Sequence, residues 1–543
     1  MSLDSGDKHY DIIVIGAGIN GLGIVRDAAE RGLSVALIEQ EDFCYGVSAW
    51  SGRLVHGGLR YLEHGDIPLV RESLRERELL FQVAPHLVKP VRLIMPFYSR
   101  NKRPSWMIRL GMIAYDVLSL DKTVKSHRIL STPAVTQRFT GMSKHGLSGA
   151  ALFTDGQVEY AERLCTELAV AAARAGADIF IHTTVTNILT EGNERPGRVS
   201  GVETVNSQGE LQSFHASLVI NAGGPWVDAV LHGKTSKPIE SKKLIGGSKG
   251  SHIIVDPFPG APTDVVYYES QTDGRLVLVI PWMGRYLIGT TDRLFDLDPS
   301  EARCEMDEID YLLTEANTLM PEANLTIKDV LYTYSGVRPL PYAPGVSEWK
   351  IPRSHIVFDH ASTGYPGLHS IVGGKLTTYR QLAEDSVDLA VKQLGKGLKI
   401  PVSKKTPFPG AQSSDMAEFK TQFVNAGFVD PATANRLFAL YGTRAQDVVE
   451  LVKADPSLGE RFDPNSPAIA AELIFAVDEE FAHTLADVFA RRILLAFEPG
   501  HGLDGVQRAT EILGKHCGWN AQRRKAEIAG YQNWLDHLRV PQV

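Results

Sequence analysis

The chain has 543 residues, of which 43% are apolar and 22% charged, and its formal charge is -8. This length exceeds the size at which one hydrophobic core keeps growing, so it predicts two or three domains of ordinary globular composition. The acidic balance argues against a protein that coats nucleic acid, and we expect no nucleic-acid partner. The four cysteines are scattered without a CxxC pair, which argues against a metal site and indicates reduced thiols in the cytoplasm.

The N-terminal elements predict a dinucleotide-binding βαβ unit. A short apolar strand over 12–15 leads into a GxGxxG turn over 16–21, and apolar residues at helical spacing follow as far as 31. A second apolar strand ends at Glu39, where a carboxylate can accept hydrogen bonds from ribose hydroxyls. The context of strand, helix, second strand and acid is what distinguishes this motif from an ordinary glycine-rich turn.

Each glycine of the turn has a separate physical role. Gly16 permits the tight turn, Gly18 removes a side chain that would block a pyrophosphate, and Gly21 lets the helix pack closely on the strand. The phosphates would then face the unpaired N–H groups of the helix N-terminus. The motif alone does not separate FAD from NAD.

The rest of the chain divides into a mixed α/β region and a helical one. A charged, leucine-containing segment over 68–84 predicts a helix whose charges form a solvated face. Strand-like runs follow at 178–188, 201–206, 216–222, 251–255, 275–280 and 286–290. After about residue 401 strand signals fade, and helices are predicted at 415–425, 432–440, 468–478 and 482–494.

Several long motifs stand in a fixed order along the chain, at 52–63, 249–252, 280–283, 289–292, 334–340 and 373–380. Together they resemble the FAD-dependent, aerobic glycerol-3-phosphate dehydrogenases. The resemblance covers most of 10–395 and, more weakly, 410–535. One departure is that Ser51-Gly52-Arg53 stands where many relatives have Ser-Ser-Lys, and Trp50 replaces a small residue.

The resemblance implies a mixed α/β fold with a Rossmann-type FAD-binding domain, a β-rich substrate domain and an all-helical C-terminal domain. The later strands near Val185 and before Gly223 would return to the same cofactor, which makes the FAD domain discontinuous. We expect the FAD domain to comprise 8–72, 150–232 and 352–395, the substrate domain 73–149 and 233–351, and the helical domain 410–543.

The activity implied by the resemblance is oxidation of sn-glycerol 3-phosphate to dihydroxyacetone phosphate. A hydride would pass from C2 to flavin N5, and the electrons would go on to membrane quinone. The alternatives are an oxidase that uses O2, a non-catalytic dinucleotide-binding regulator, and an amino-acid oxidase of the wider superfamily. Several cations in matched motifs suit a phosphate better than a zwitterion.

The matched motifs also imply the site residues. Arg60, Arg338, Arg353 and Lys375 are the cations that would hold the phosphate and the substrate oxygen. His252 is the expected proton acceptor because an unperturbed imidazole titrates near neutral pH, with Tyr61 or His56 as alternatives. The expected FAD contacts are Gly16, Gly18, Asn20, Gly21, Glu39, Ser48, Ser51, Leu54, Val185, Gly223 and Gly374.

The segment over 100–113 combines cations with apolar side chains, a composition suited to an anionic lipid surface. No run of about 18 uncharged apolar residues and no export signal is evident, so membrane contact would be peripheral, on the inner face of the cell membrane. A buried helix beside a solvated basic turn is the alternative, and a homodimer is also expected. Insertion is assigned to Trp106, Met107, Ile108 and Ile113, and headgroup attraction to Arg100, Lys102, Arg103 and Arg109.

Overall fold

The computed structural model describes residues 8–63, 65–193, 195–232, 238–346, 351, 353–397 and 400–542. Within these residues the strands form two sheets. The strands are β1 (His9–Ile15), β2 (Val35–Ile38), β3 (Leu54–Val55), β4 (Val88–Tyr98), β5 (Arg128–Leu130), β6 (Leu147–Val158), β7 (Asp178–Phe180), β8 (Thr183–Thr190), β9 (Val199–Asn206), β10 (Leu211–Asn221), β11 (Ile245–Val255), β12 (Val265–Glu269), β13 (Leu276–Trp282), β14 (Arg285–Gly289), β15 (Arg293–Leu294), β16 (Val330–Pro341), β17 (Ile356–Asp359) and β18 (Leu368–Val372).

The helices surround these sheets and make up most of the C-terminal region. They are α1 (Ile19–Glu30), α2 (Arg60–Glu63), α3 (Ile67–Val83), α4 (Ser105–Val117), α5 (Thr132–Arg138), α6 (Ala161–Arg174), α7 (Val227–His232), α8 (Met306–Leu319), α9 (Tyr379–Leu394), α10 (Met416–Asn425), α11 (Pro431–Tyr441), α12 (Ala445–Ala454), α13 (Ala470–Asp478), α14 (Leu485–Asp487), α15 (Val506–Cys517) and α16 (Ala521–Trp534).

The first sheet is the predicted nucleotide-binding sheet. Its central strands run in the order β18-β10-β1-β2-β7 and are mutually parallel, with the antiparallel strand β17 at one edge. The hairpin of β8 and β9 joins through β10. Helices α9 and α6 both pack against α1, and a Cβ at Gly23 would lie 2.7 Å from the Tyr379 ring. The predicted strand–helix–strand unit is therefore confirmed.

The second sheet lies on the other side of the cavity that is described below. Its order is β15-β11-β14-β13-β12-β4-β6-β3, with β16 paired to β11 and β5 to β6. Helix α8 packs against β11 and β14. The strands of this sheet come from two separated parts of the chain, and those of the first sheet come from three. The exact domain ranges stay a prediction.

Three local predictions need correction. The helix over 68–84 exists as α3, but Glu76, Arg77 and Glu78 are buried rather than solvated, because each finds a polar partner from another element. The strand predicted at 178–188 is broken into β7 and β8. The helix predicted at 482–494 is α14 followed by a π-helix, Val488–Arg492.

Candidate functional site

A cavity of about 1070 Å³ lies between the two sheets. One wall consists of turns at the carboxyl ends of β1, β10 and β18, the edge where parallel α/β sheets bind ligands. The opposite wall is the second sheet, through side chains of β11, β13 and β16. Predicted site residues that line the cavity are Gly18, Asn20, Ser48, Ser51, Leu54, Tyr61, His252, Arg338, Arg353, Gly374 and Lys375.

The backbone of the GxGxxG turn explains two of its glycines directly. Gly16 has φ +102°, and a Cβ there would lie 2.7 Å from the carbonyl oxygen of Ala222 on the neighbouring strand. A Cβ on Gly21 would lie 1.9 Å from the carbonyl oxygen of Gly16. Neither position admits a side chain, because the residue after β10 lies too close to Gly16, and the start of α1 lies too close to the turn at Gly21.

Gly18 differs because the protein itself leaves space there. A Cβ would meet only Ser48 Oγ, at 3.5 Å, and that hydroxyl accepts a hydrogen bond from Ile19 N (3.0 Å) at the start of α1. The open space at Gly18 lies in the cavity and beside a helix N-terminus, where phosphate oxygens bind well. The space left by the absent side chain therefore fits the pyrophosphate of a dinucleotide.

Asn20 and Gly374 meet on the same side of the cavity. Asn20 Nδ2 donates to the carbonyl oxygen of Gly373 (3.4 Å), and within the described residues its Oδ1 is buried without a hydrogen-bond partner. Gly374 has φ +92°, and a Cβ there would lie 2.9 Å from Asn20 Nδ2. Asn20 and the turn at Gly374 could therefore hold a cofactor in this part of the cavity.

Glu39 is already oriented by the backbone. One oxygen accepts a hydrogen bond from Ala17 N (2.6 Å) and the other from Glu41 N (2.9 Å). Burial raises the pKa of Glu39 to about 7. Each carboxylate oxygen has a second lone pair, so ribose contacts remain open to it.

Two predicted cations converge on one carboxylate that the sequence analysis did not single out. Arg338 Nη1 donates to Asp292 Oδ1 (3.1 Å), and Arg353 Nη2 lies 4.0 Å from Asp292 Oδ2. Burial opposes ionisation of Asp292, but Arg338, the Ser248 hydroxyl and the other nearby arginines outweigh it and lower its pKa. Asp292 could have been found from the sequence, because it ends one of the matched motifs.

Lys375 and Tyr61 form a second group on the cavity wall. Lys375 Nζ donates to Ser73 Oγ (2.5 Å) and lies 4.4 Å from the centre of the Tyr61 ring. The cation–ring contact orients both side chains. The Arg60 side chain lies outside the part of the chain that the structure describes.

His252 lines the cavity, but its environment differs from the one expected. Burial, followed by the charges of Arg338 and Arg53, lowers the pKa of His252 to about 3. The imidazole is therefore neutral at neutral pH, and the expectation of an unperturbed imidazole is wrong. Within the described residues, no hydrogen-bond partner is found for its Nδ1. His56 lines the same cavity, and its backbone N donates to Thr377 Oγ1 (3.2 Å).

Five predicted cofactor contacts are not among the residues that line the cavity: Gly16, Gly21, Glu39, Val185 and Gly223. Val185 pairs with Thr204 on β9 and packs against the apolar core of the first sheet. Gly223 stands between Ala222 and Gly224, which do line the cavity. Their contacts with a cofactor stay predictions.

The residues that depart from the family pattern have clear structural roles. Arg53 faces away from the cavity and forms a buried ion pair with Glu162 through two hydrogen bonds, of 2.5 and 2.9 Å. Trp50 lines the cavity and stacks on Trp534 and His537 near the C-terminus, with ring centres 6.0 and 5.9 Å apart. No local pattern signals this contact, because it joins positions far apart in the chain.

The segment over 100–113 forms α4 and the turn before it. Trp106, at 61% exposure, heads an exposed apolar face that also includes Met107, Leu110, Ile113 and Val117. Ile108, by contrast, is only 8% exposed, so its assignment to lipid insertion is wrong. Among the described residues, no helix combines the length and apolarity needed to cross a bilayer.

Each cation of this segment has a contact within the protein, although Arg100, Lys102 and Arg109 are exposed. Arg103 pairs with Glu63 and Glu269, and Lys102 Nζ donates to the carbonyl oxygen of Asp273. Arg100 stacks on Tyr98 at 4.1 Å. Arg109 lies 5.6 Å from the centre of the Phe97 ring. Because Arg100, Lys102 and Arg109 remain exposed, the headgroup attraction assigned to the four cations stays a prediction for these three.

Comparisons with known proteins give a consistent family. The chain matches the family model described as FAD dependent oxidoreductase over 11–380, and that of the C-terminal domain of alpha-glycerophosphate oxidase over 401–524. It is 43% identical over 537 residues to a glycerol-3-phosphate dehydrogenase of Synechocystis sp., covering 98% of this chain and 97% of the relative.

Two further matches extend over nearly the whole chain. An aerobic glycerol-3-phosphate dehydrogenase of Staphylococcus saprophyticus is 31% identical over 550 residues, covering 99% of this chain and 96% of the relative. The solved structure of a glycerol-3-phosphate dehydrogenase from Bacillus halodurans, complexed with FAD, superposes with a TM-score of 0.80 at 25% identity. It covers 99% of this chain and 97% of its own.

Proposed function

This chain belongs to the FAD-dependent glycerol-3-phosphate dehydrogenase family, and we propose that it oxidises sn-glycerol 3-phosphate to dihydroxyacetone phosphate. The observation that carries the proposal is one cavity with a dinucleotide turn on one wall and Arg338, Arg353, Lys375 and His252 around the rest. A dianionic phosphate needs such cations, and an alcohol oxidation needs a proton acceptor beside them.

The arginine pair is suited to the substrate phosphate. Arg338 and Arg353 approach the two oxygens of Asp292, which orients both guanidinium groups before any ligand arrives. Planar guanidinium groups bind phosphate oxygens through paired N–H donors. Asp292 would thus set the geometry of the pair while the remaining donors take the phosphate.

His252 is the group we propose to take the hydroxyl proton. It enters the reaction neutral, since its pKa lies at about 3 in the free protein. A phosphate dianion held by Arg338 would raise that pKa, which favours proton transfer as the substrate oxygen loses its hydrogen. Tyr61, beside Lys375, stays the alternative acceptor. Bound FAD supplies the acceptor, at flavin N5, for the hydride that leaves C2.

The direct test is anaerobic mixing of the purified, FAD-loaded protein with glycerol 3-phosphate while the visible spectrum is recorded. We expect bleaching of the flavin absorbance at about 450 nm and formation of dihydroxyacetone phosphate in equal amount. Unphosphorylated glycerol, mixed at the same concentration, should reduce the flavin poorly because it lacks the charge that the arginines bind. A flavin that stays oxidised would support the non-catalytic regulator instead.

We propose that the electrons pass to membrane quinone and that α4 is the peripheral membrane contact, on the inner face of the cell membrane. The support is the row of exposed apolar side chains on one helix, from Trp106 to Val117, with the exposed cation Arg109 among them. Met107 lies both on this face and at the cavity. An apolar face beside a cation suits an anionic lipid surface. The O2-using oxidase is the rival, and the homodimer stays a prediction.

A further inference from the structure

One buried carboxylate connects three of the matched motifs. Glu308 on α8 is wholly buried, and its Oε1 accepts hydrogen bonds from Thr291 Oγ1 (2.7 Å) and Ser251 Oγ (2.9 Å). Its Oε2 lies 2.9 Å from Lys249 Nζ and accepts from Glu305 N (3.0 Å). Each oxygen of this buried carboxylate therefore has two polar partners, as expected for a buried polar group.

Glu308 and the cavity lie on opposite faces of the second sheet. Along β11, Gly250 and His252 line the cavity, whereas the alternate residues Lys249 and Ser251 contact Glu308. Side chains of a strand alternate between the two faces, so this division follows from the strand geometry. Glu308 thus contacts the strands of the cavity wall on the face opposite the cavity, where it does not touch a ligand.

The donor and the acceptor can be assigned for each hydrogen bond among the hydroxyl groups around Glu308. The Ser251 hydroxyl donates its single proton to the carboxylate, so Ser335 Oγ, 2.7 Å away, must be the donor to Ser251. Thr291 Oγ1 likewise donates to Glu308 and accepts from Ser251 N (2.9 Å). Three chain segments are therefore joined to one carboxylate: β11, the turn after β14, and β16.

Each of these segments carries a cavity residue close to its link. Ser251 precedes His252, Thr291 precedes Asp292, and Ser335 lies three residues before Arg338. The Thr291 carbonyl also accepts from Arg338 Nη2 (3.4 Å). A shift of any of these links would move the imidazole relative to the arginine pair.

We propose that Glu308 is a positioning residue for the oxidation: it fixes His252 relative to Asp292 and Arg338 through the hydroxyl groups of Ser251 and Thr291. This inference rests on the proposed function. The physical reason is that a displacement of about 1 Å at reacting groups can cost about 100-fold in rate. Apolar packing alone would hold the three segments less specifically, because it has no direction.

The test compares two double variants that both remove the buried ion pair. The first, Lys249→Met with Glu308→Gln, keeps an oxygen for the two hydroxyl groups and is called the acceptor-retaining variant. The second, Lys249→Met with Glu308→Met, removes that oxygen and is called the acceptor-lacking variant. Substituting Lys249 in both avoids an unpaired buried charge, which would destabilise the fold for an unrelated reason. The two proteins therefore differ only at position 308, by an amide group whose oxygen is the acceptor for the two hydroxyl groups.

We expect the acceptor-lacking variant to reduce its flavin with glycerol 3-phosphate at a limiting rate at least about tenfold below that of the acceptor-retaining variant. Both should contain FAD. Faster hydrogen exchange at the Ser251 amide in the slower protein would show, independently of activity, that the link to Thr291 has loosened. Equal limiting rates in the two proteins would overturn the proposal.

Two controls keep the result specific. Glu472→Gln removes another buried carboxylate, in the helical region, and should lower the melting temperature without lowering the reduction rate. If the acceptor-lacking variant does not fold, Thr291→Val serves in its place, and an unchanged rate there overturns the proposal equally. An unreactive wild-type protein would refute the proposed function; the hydrogen-exchange comparison would still report on the links to Glu308.

Discussion

Arginines pair with carboxylates in two regions of this molecule, but they are partly exposed in one region and buried in the other. At the cavity, Arg338 and Arg353 share Asp292, and both guanidinium groups keep part of their surface exposed. Between α6 and the C-terminal helices, Arg163 is wholly buried and bonds both oxygens of Glu480, at 2.5 and 2.7 Å. Arg444 reaches the same carboxylate (2.6 Å).

This difference distinguishes arginines that can bind a ligand from arginines that stabilise the fold. Two of the three remaining donors of Arg163 bond the carbonyl oxygens of Leu440 and Arg492, so it has little left to offer a ligand. In the buried cluster Arg444 also bonds Glu167 (2.8 Å), so two arginines face two carboxylates. Arg338 and Arg353, by contrast, share the single carboxylate of Asp292, which leaves positive charge for an anion. An arginine in a matched motif is therefore informative only when its partners are known.

The largest expected effect is on stability, at the buried cluster. Arg163→Ala should lower the free energy of unfolding by about 3–5 kcal/mol, because it leaves part of the charge of Glu480 buried without its partner. Urea or thermal unfolding of the FAD-loaded protein measures this. Arg508→Ala, which removes an exposed pair with Glu460, is the matched control and should change stability by less than about 1 kcal/mol. Similar losses in both would erase the distinction between buried and exposed pairs.

The next effect is on catalysis, at the cavity. Arg338→Ala should raise the barrier for oxidation of glycerol 3-phosphate by about 2–4 kcal/mol, since a charge-assisted contact in a closed site is lost. Single-turnover flavin reduction measures the change. FAD content and melting temperature should stay near those of the wild type. Arg338→Lys should recover only part of the rate, and near-normal kinetics of the Ala variant would remove the phosphate-binding role.

A further prediction concerns pH. Burial opposes ionisation of Glu480, but Arg163 and Arg444 outweigh it and lower its pKa from 4.5 to about 2. A lowered pKa stabilises the fold above pH 4.5, and that stability is lost as the pH falls from 4.5 towards 2. Melting temperatures should therefore fall over this interval. A Glu480→Gln protein should show a shallower decline, and identical acid profiles would contradict the assignment.

His182 makes stability depend on pH with the opposite sign, in the same part of the molecule. Its bond to Asp487 (2.9 Å), against the cost of burial, raises its pKa to about 9. That stabilisation is complete below pH 6.5 and is lost as the pH rises through 9. His182→Gln should flatten the alkaline side of the melting profile. It should also weaken the acid side, because the bond to His182 helps to lower the pKa of Asp487 to about 2.

The smallest expected effect is on membrane binding. Replacing Trp106, Leu110 and Ile113 by Ser should weaken sedimentation with vesicles that contain anionic lipid, because inserted apolar area is lost. High salt should release the wild type only partly, since salt screens a contribution of about 1 kcal/mol per basic residue and not the apolar one. A variant with Leu211, Ile400 and Phe428 changed to Ser removes other exposed apolar side chains and should bind normally. Equal binding of all three proteins would favour the soluble oxidase.

Local patterns predicted the nucleotide-binding half of the fold well. The apolar run of β1, the turn over 16–21 and α1 are sequence neighbours, so their physical demands appear together in the chain. The same reasoning failed for α3, whose charges it assigned to solvent. Glu76 pairs with Arg380, more than 300 residues away, and helical periodicity carries no trace of such a partner.

The sequence by itself determined the glycine turn, the mixed α/β and helical regions, the family resemblance and part of the lining of the cavity. Only the tertiary structure decided that Asp292 joins two arginines, that His252 is neutral and that Arg53 is structural. It also decided that Ile108 points into the core. The reason is that burial and charge pairing depend on segments brought together by folding, whereas composition and spacing report only what lies nearby along the chain.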